Sequence, residues 1–316
     1  MDRLKRRLTT FTDLLEFSVS RLFSAYVIVD WSAASKAATG TDCVSIGVLK
    51  RDVRFRLAFD SFTTTTRAEA EKRLGLILDD LKKRNEKAFI GFDFPLGFPT
   101  GLAPALKLTT EPRWRAVWNW LDKMVKDKAD NTNNRFGVAA EINRRVTDGP
   151  FPFWGCAPRD TLTTLQPKKT RDHVEGDLPE MRLTDIAAKT GRSIWKLYYA
   201  GSIGGQTILG IPAVSRLKAA KADAMRIWPL ETGWKTLTPA ELDGVDLVVA
   251  EVDPMAAKAN PAPGEAKAIA QLRALAEQFA KLDEAGKFGD LFAAPKGLDE
   301  ASLEISQTEE GWILGS

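Results

Sequence analysis

Three apolar runs in this 316-residue chain each break off at an acidic residue. They are "AYVIVD" at 25–30, "AFIGFD" at 88–93 and "VDLVVAEVD" at 245–253. The first two are uniformly apolar, which predicts strands buried on both faces, as in sheets covered by helices on each side. A carboxylate at the end of such a strand has two uses. It caps a turn by accepting backbone N–H groups, or it faces a ligand, because α/β folds bind ligands just beyond the carboxyl ends of their strands. One strand alone leaves both uses open.

The segments between the runs set their order. Residues 43–50 and 53–60 read as two further strands joined by the short turn "RD", hence an antiparallel hairpin. Thr66 and Glu69 form a T-x-x-E helix start, followed by Ala70, Leu74, Ile77, Leu78 and Leu81 at helical spacing. The order is strand, strand, strand, helix, strand. After a helical crossover the fourth strand is expected parallel to the first and beside it. Asp30 and Asp93 then fall at the same end of neighbouring strands, and for this pair together a site is favoured over two caps.

Later elements are less regular. Helices are predicted at 112–127 and 137–147, then a helix, glycine turn and helix over 193–212, and a strand and loop in "AMRIWPLETGW". In the strand at 245–253, Val245, Leu247, Val249, Glu251 and Asp253 share one face. Residues 264–285 form the strongest helix, with Ile269, Leu272, Ala276, Phe279 and Leu282 as its buried stripe and Glu265 directed from that stripe toward the end of the sheet. The whole reads as one α/β domain over 25–316, with a mainly helical insertion at about 100–200. Residues 1–24 form an amphipathic extension: Leu4, Leu8, Phe11, Leu15 and Leu22 lie near helical spacing among basic residues. A docked helix, a translated tail, a targeting segment or a membrane-surface helix would share that pattern.

Charge and cysteine content narrow the function. The net charge is +3, from 45 basic and 42 acidic residues, so any basic footprint for nucleic acid or anionic lipid is local. Two cysteines, Cys43 and Cys156, make no disulfide framework and suggest a reducing, cytoplasmic setting. His173 is the only histidine, which excludes a zinc site built from several histidines. No apolar run is long enough to span a membrane. Acidic side chains from strand ends and a packed helix suit a hard cation: Mg²⁺ or Mn²⁺ takes oxygen ligands and works on phosphodiesters.

With "VIVDWSAAS" on the first strand and "FIGFDFPLGFP" on the fourth, the chain resembles the ribonuclease H-like superfamily. Within it, it resembles a poorly characterised branch of predicted nucleases, a domain of unknown function. Those relatives carry a first-strand Asp, an Asp-x-Pro-Leu-Gly after the fourth strand and a Glu-Val-x-Pro strand end. "DFPLG" at 93–97 and "EVDP" at 251–254 match them. The resemblance covers about 25–100 and 225–285. It implies a ribonuclease H-like mixed sheet, three antiparallel strands, a helix, a parallel strand and further strands, flanked by helices. Such folds carry a further acid on the last helix; the sheet-facing position here is Ala268, and Glu265 is the nearest substitute.

The expected function is therefore a divalent-metal-dependent phosphodiester hydrolase, a nuclease, acting on nucleic acid or a nucleotide. Asp30, Asp93 and Glu251 are its expected metal ligands, with Glu265 a candidate fourth catalytic acid. "SAASK" after Asp30 (Ser32, Ser35, Lys36) and "AGSIGGQT" (Ser202, Gly204, Gly205, Gln206) are candidate phosphate-binding segments. The latter matches neither common phosphate-loop pattern, so a plain turn is an equal reading. The loop after Asp30 also fits an actin-like nucleotide-binding phosphotransfer enzyme, and loss of the helix acid fits a non-catalytic binding or scaffold protein. The Trp/Arg segment (Arg113, Trp114, Arg115, Trp118, Trp120) reads as core first and base-stacking surface second.

Overall fold

The computed structural model describes residues 21–316 apart from 53 and 55. Six strands form one mixed sheet in the order β3-β2-β1-β4-β6-β5. They are β1 (Ala25–Asp30), β2 (Val44–Arg51), β3 (Leu57–Thr64), β4 (Ala88–Phe92), β5 (Met225–Ile227) and β6 (Leu247–Glu251). The first three are antiparallel neighbours, while β4 joins β1, β6 joins β4 and β5 joins β6 in parallel.

Helices cover both faces, which is why β1, β4 and β6 are apolar at every position but the last of β1 and β6. On one face Val27, Val29, Ile90, Phe92 and Val249 pack against Ala70, Leu74 and Leu78 of α1 (Arg67–Lys83). The same cluster takes in the helices between β4 and β5: α2 (Leu102–Ala105), α3 (Arg113–Met124), α4 (Arg135–Thr147) and α6 (Gly204–Lys221). A short α5 (Leu183–Ala187) precedes α6. On the other face Tyr26, Ile28, Phe89, Val248 and Ala250 meet Leu272, Leu275, Ala276 and Phe279 of α7 (Lys267–Glu284). A final helix, α8 (Glu300–Ile305), leads into the C-terminal segment. No helix among the described residues is long and apolar enough to cross a membrane.

Three local expectations change. The β2–β3 connection spans 52–56, because the Asp52 carboxylate accepts from Arg54 N at 2.8 Å and Arg56 N at 2.9 Å and holds a wider turn. Residues 193–203 are not helical. Their backbone pairs instead with residue 154, through Trp154 N to Trp195 O (2.9 Å) and Leu197 N to Trp154 O (3.0 Å). Finally, Leu22 and Phe23 belong to the core. They are buried, and their N–H groups donate to Asp283 of α7 at 2.9 Å each, with Tyr26 Oη donating to the same carboxylate at 2.6 Å. The proposed extension over 1–24 thus ends in residues that complete the domain; Leu4, Leu8, Phe11 and Leu15 lie outside the described residues.

Candidate functional site

Strand register decides which acids meet. Val29 of β1 lies opposite Phe92 of β4, and Asp93 N donates to Val29 O at 3.1 Å, so Asp30 and Asp93 follow in step. Side chains alternate along a strand. Asp30 therefore belongs to the face of Tyr26 and Ile28, and Asp93 to that of Phe89 and Gly91, which is the same face. Their carboxyl groups are within hydrogen-bonding reach of each other. Two ionised carboxylates cannot share such a bond, so one proton or one cation stands between them. Burial pushes both carboxyls above their usual range; for Asp93 the Asp30 charge adds to this, and the bond from Trp31 N (2.8 Å) opposes it. Trp31, buried against Phe92 and Phe94, fixes that N–H in place.

Glu251 lies elsewhere in this arrangement. It pairs in register with Phe92, so it shares the opposite face with Phe92 and Val249. Both its oxygens accept from Arg182, Oε2 from Nη1 and Oε1 from Nη2, at 2.6 Å each. Arg182 also bonds Asp185 through Nε (2.9 Å) and Nη2 (3.0 Å), and the Glu310 carbonyl at 3.2 Å. Arg182 is fully buried, and Glu251 and Asp185 are nearly so. Burial raises the Glu251 carboxyl, and the guanidinium works against that. Glu251, the expected third metal ligand, is thus held on the opposite face of the sheet from Asp30 and Asp93, with both oxygens bonded to an arginine that it shares with Asp185.

Between the two sets of acids lies a small cleft lined by Asp93, Asp185, Arg192, Glu251 and Asp253, among others. It leaves about 20 Å³ for the centre of a water-sized molecule, which is room for one water or ion and not for a nucleotide. Arg192 Nη2 reaches Asp253 Oδ2 at 3.3 Å, and its charge also favours the ionised form of Asp93. Asp253 otherwise caps the following turn by accepting from Met255 N at 3.0 Å.

Glu265 is also engaged. It precedes α7 rather than lying within it, and it forms an ion pair with Arg273 at 2.8 Å. That pair and the bond from Ala262 N hold its carboxyl down to about 2. Ala268 sits half-buried in the first turn of α7. Among the described residues no group of three or more His, Cys, Asp or Glu side chains is arranged to hold a metal ion.

The two candidate phosphate segments do come together. Gln206 Nε2 donates to Trp31 O at 2.6 Å, and a Cβ on Gly205 would lie 3.1 Å from that of Ala33. Several of their groups are occupied, however. Ser32 Oγ donates to the Asp42 carbonyl and accepts from Ala34 N, and the Gly204 N–H donates to Lys196 O at 3.0 Å. A Cβ on Gly204 would lie 2.1 Å from Ile194 O, so glycine is required there by close backbone approach. Lys36 is exposed and its carbonyl accepts from Asn131. Ser202 is half-buried beside the start of α6. Ser35 Oγ accepts from Arg135 Nη1 at 2.7 Å.

The Trp/Arg segment is core. Trp114, Trp118 and Trp120 are buried, Arg113 pairs with Glu309 and Arg115 with Glu231. Residues that sequence reasoning missed are Asp185 and Arg192 at the cleft, Arg182 behind it and Arg135 beside α6. A polar stretch with no periodicity carries no signal for the first three. No family model, curated protein or solved structure matches this chain.

Proposed function

We propose that the chain is a divalent-metal-dependent phosphodiester hydrolase of ribonuclease H-like fold, acting on nucleic acid or a nucleotide through Asp30 and Asp93. The observation that carries this reading is the pair of carboxyl groups in mutual hydrogen-bonding reach at the carboxyl ends of two adjacent parallel strands. The order β3-β2-β1-β4, with only β1–β3 antiparallel, supports the fold assignment. The donor set fits Mg²⁺ or Mn²⁺, which bind through one or two carboxylates and fill their remaining positions with water and substrate oxygens. A cation held there would supply an acidified water and charge neutralisation at the phosphoryl group.

The chain's own residues prepare that role. Without a cation, Asp30 and Asp93 retain a shared proton, and a cation would displace it. The Trp31 N–H orients Asp93, and Arg192 offsets local negative charge from Asp93 and Asp253. Glu251 has a structural part here, holding Arg182 and accepting from Leu96 N (3.4 Å) in the segment after Asp93.

Calorimetric titration with Mn²⁺ tests the reading, together with Mn²⁺-dependent cleavage of labelled single- and double-stranded DNA and RNA. The wild type should bind Mn²⁺ and release protons as it does so. Asp30→Asn and Asp93→Asn should each lose binding and cleavage, while Glu251→Gln should keep Mn²⁺ binding. Equal Mn²⁺ affinity in wild type and Asp30→Asn would overturn the assignment.

A further inference from the structure

Arg135 is 4% exposed and forms no ion pair among the described residues. Its Nη1 bonds Ser35 Oγ at 2.7 Å and Asn133 Oδ1 at 3.0 Å, while its Nε is buried without a partner. The charges that act on it are the cation Arg67, which pairs with Asp127 at 2.6 Å, and, more weakly and in the opposite sense, Asp160 and Asp127. Burial, with Arg67 adding to it, brings the Arg135 guanidinium down to about 10. A buried charge with no direct ion pair is costly, so what sits beside it matters.

Beside it is the start of α6. A Cβ on Gly205 would lie 3.4 Å from Arg135 Cδ, so the arginine stem runs along the first turn of this 18-residue helix. That turn has no side-chain cap. The Gly204 N–H is taken by Lys196 O and the Thr207 N–H by Ile203 O, which leaves the N–H groups of Gly205 and Gln206 without an acceptor among the described residues. Unpaired first-turn N–H groups carry the positive end of the helix dipole. Ser35 Oγ accepts from Arg135, so its own proton is free to be donated, and Ser35 is exposed.

We infer that the first turn of α6, Arg135 and Ser35 form a binding site for a phosphoryl group, separate from the Asp30–Asp93 pair. The donors are two backbone N–H groups, a guanidinium and a hydroxyl. Helix-start N–H groups and a guanidinium are the donors that phosphoryl oxygens take. The site accounts for the absence of a direct ion pair at Arg135, because the ligand supplies one. It also accounts for the Ser35–Arg135 bond, which joins the buried guanidinium to an exposed hydroxyl in the loop that follows Asp30. The source of the phosphoryl group is a free phosphate, a mononucleotide or a strand of nucleic acid; in the last two cases the site deepens the hydrolase reading by holding a substrate phosphate. Exposed Tyr198 and Tyr199 stand next to it, Tyr198 against Phe136, whose ring lies 4.2 Å from the Arg135 guanidinium.

The test uses full-length protein in EDTA, so that it does not depend on a metal. Inorganic phosphate, thymidine 5′-monophosphate and an octathymidylate are each titrated by calorimetry. At least one should bind saturably, and the tightest of the three identifies the source. Arg135→Gln should weaken it roughly tenfold or more, Arg135→Lys less, and Asp30→Asn by under roughly twofold. Ser35→Ala, at an exposed position, should weaken it several-fold with no change in melting temperature. No saturable binding of any of the three at millimolar concentration would overturn the inference. So would unchanged affinity in Arg135→Gln and Ser35→Ala. Failure of the hydrolase reading would appear separately, as Mn²⁺ binding that survives Asp30→Asn.

Discussion

Replacing Arg182 with Met should be among the most damaging single changes in this protein. The guanidinium joins Glu251 at the end of β6, Asp185 in α5 and the Glu310 carbonyl near the C-terminus, and none of these groups faces water. Without it, two carboxylates remain buried with no cation between them. Breaking a buried pair by removing one partner costs about 3–5 kcal/mol. For a chain of this length the unfolding entropy is about 0.7 kcal/mol per degree, so the melting temperature should fall by about 5–8 °C. The loss should depend on pH in a defined direction. Burial already raises the Glu251 carboxyl above its usual value, and Arg182 opposes that rise. In Arg182→Met the folded state holds the Glu251 proton still more firmly than the unfolded state does. Stability of the variant then falls as pH rises through the folded-state value, and its deficit against wild type shrinks on acidification. Glu251→Gln should cost less, because Arg182 keeps Asp185, and the double variant should be more stable than the two single losses summed. Thermal melts of all four proteins between pH 4 and 8 measure this. A wild-type melting temperature in Arg182→Met at neutral pH, or a deficit that does not change with pH, would refute the reasoning.

Two further outcomes are expected. Asp93 has its carboxyl raised well above the usual range, so the native state binds more protons than the unfolded state above about 3.8, and stability contributed at this site falls as pH rises through the folded-state value. In EDTA, Asp93→Asn should therefore be more stable than wild type at neutral pH and equal to it below about 3.8; a variant less stable at neutral pH would count against the shared-proton geometry. Removal of residues 1–24 should lower the melting temperature by at least ~5 °C, since it deletes two buried side chains, Leu22 and Phe23, worth about 1.5–3 kcal/mol each, and leaves Asp283 without two of its donors. An unchanged melting temperature would show that the contacts to Asp283 contribute nothing.

The parts of the site that sequence revealed, and those it hid, divide by a physical criterion. Asp30 and Asp93 were legible because β1 and β4 are uniformly apolar, the helix between them is amphipathic, and a crossover then dictates parallel neighbours. Glu251 was legible as a strand end but not as to its face. Alternation is readable within one strand, whereas the relation between two strands needs their register, here Phe92 opposite Glu251. Arg182 was hidden because its partner is 69 residues away and its own segment lacks periodicity. Glu265 misled because α7 begins at Lys267, which puts Glu265 on the lead-in to the helix, where Arg273 claims it. The stretch 193–203 misled because its apolar residues are spent on pairing with residue 154, a non-local choice that local propensity does not record.

The same criterion separates structure from chemistry inside "DFPLG". Leu96 N donates to Glu251, Leu96 O accepts from Trp118 Nε1 at 2.8 Å, and a Cβ on Gly97 would lie 2.3 Å from the Glu309 carbonyl. Leu96 and Gly97 thus bring α3, β6 and the C-terminal segment onto the end of β4, and their residue types follow from packing. Asp93 does not follow from packing. The fold neutralises Glu251 with an arginine and ties Asp283 to backbone N–H groups and a tyrosine, yet it sets Asp93 against another carboxyl group. Sequences that specify a fold agree with it at every level except where function intervenes. A like-charge pair that an asparagine in either position would relieve breaks that agreement, and under the function proposed above a bound cation would account for both acids.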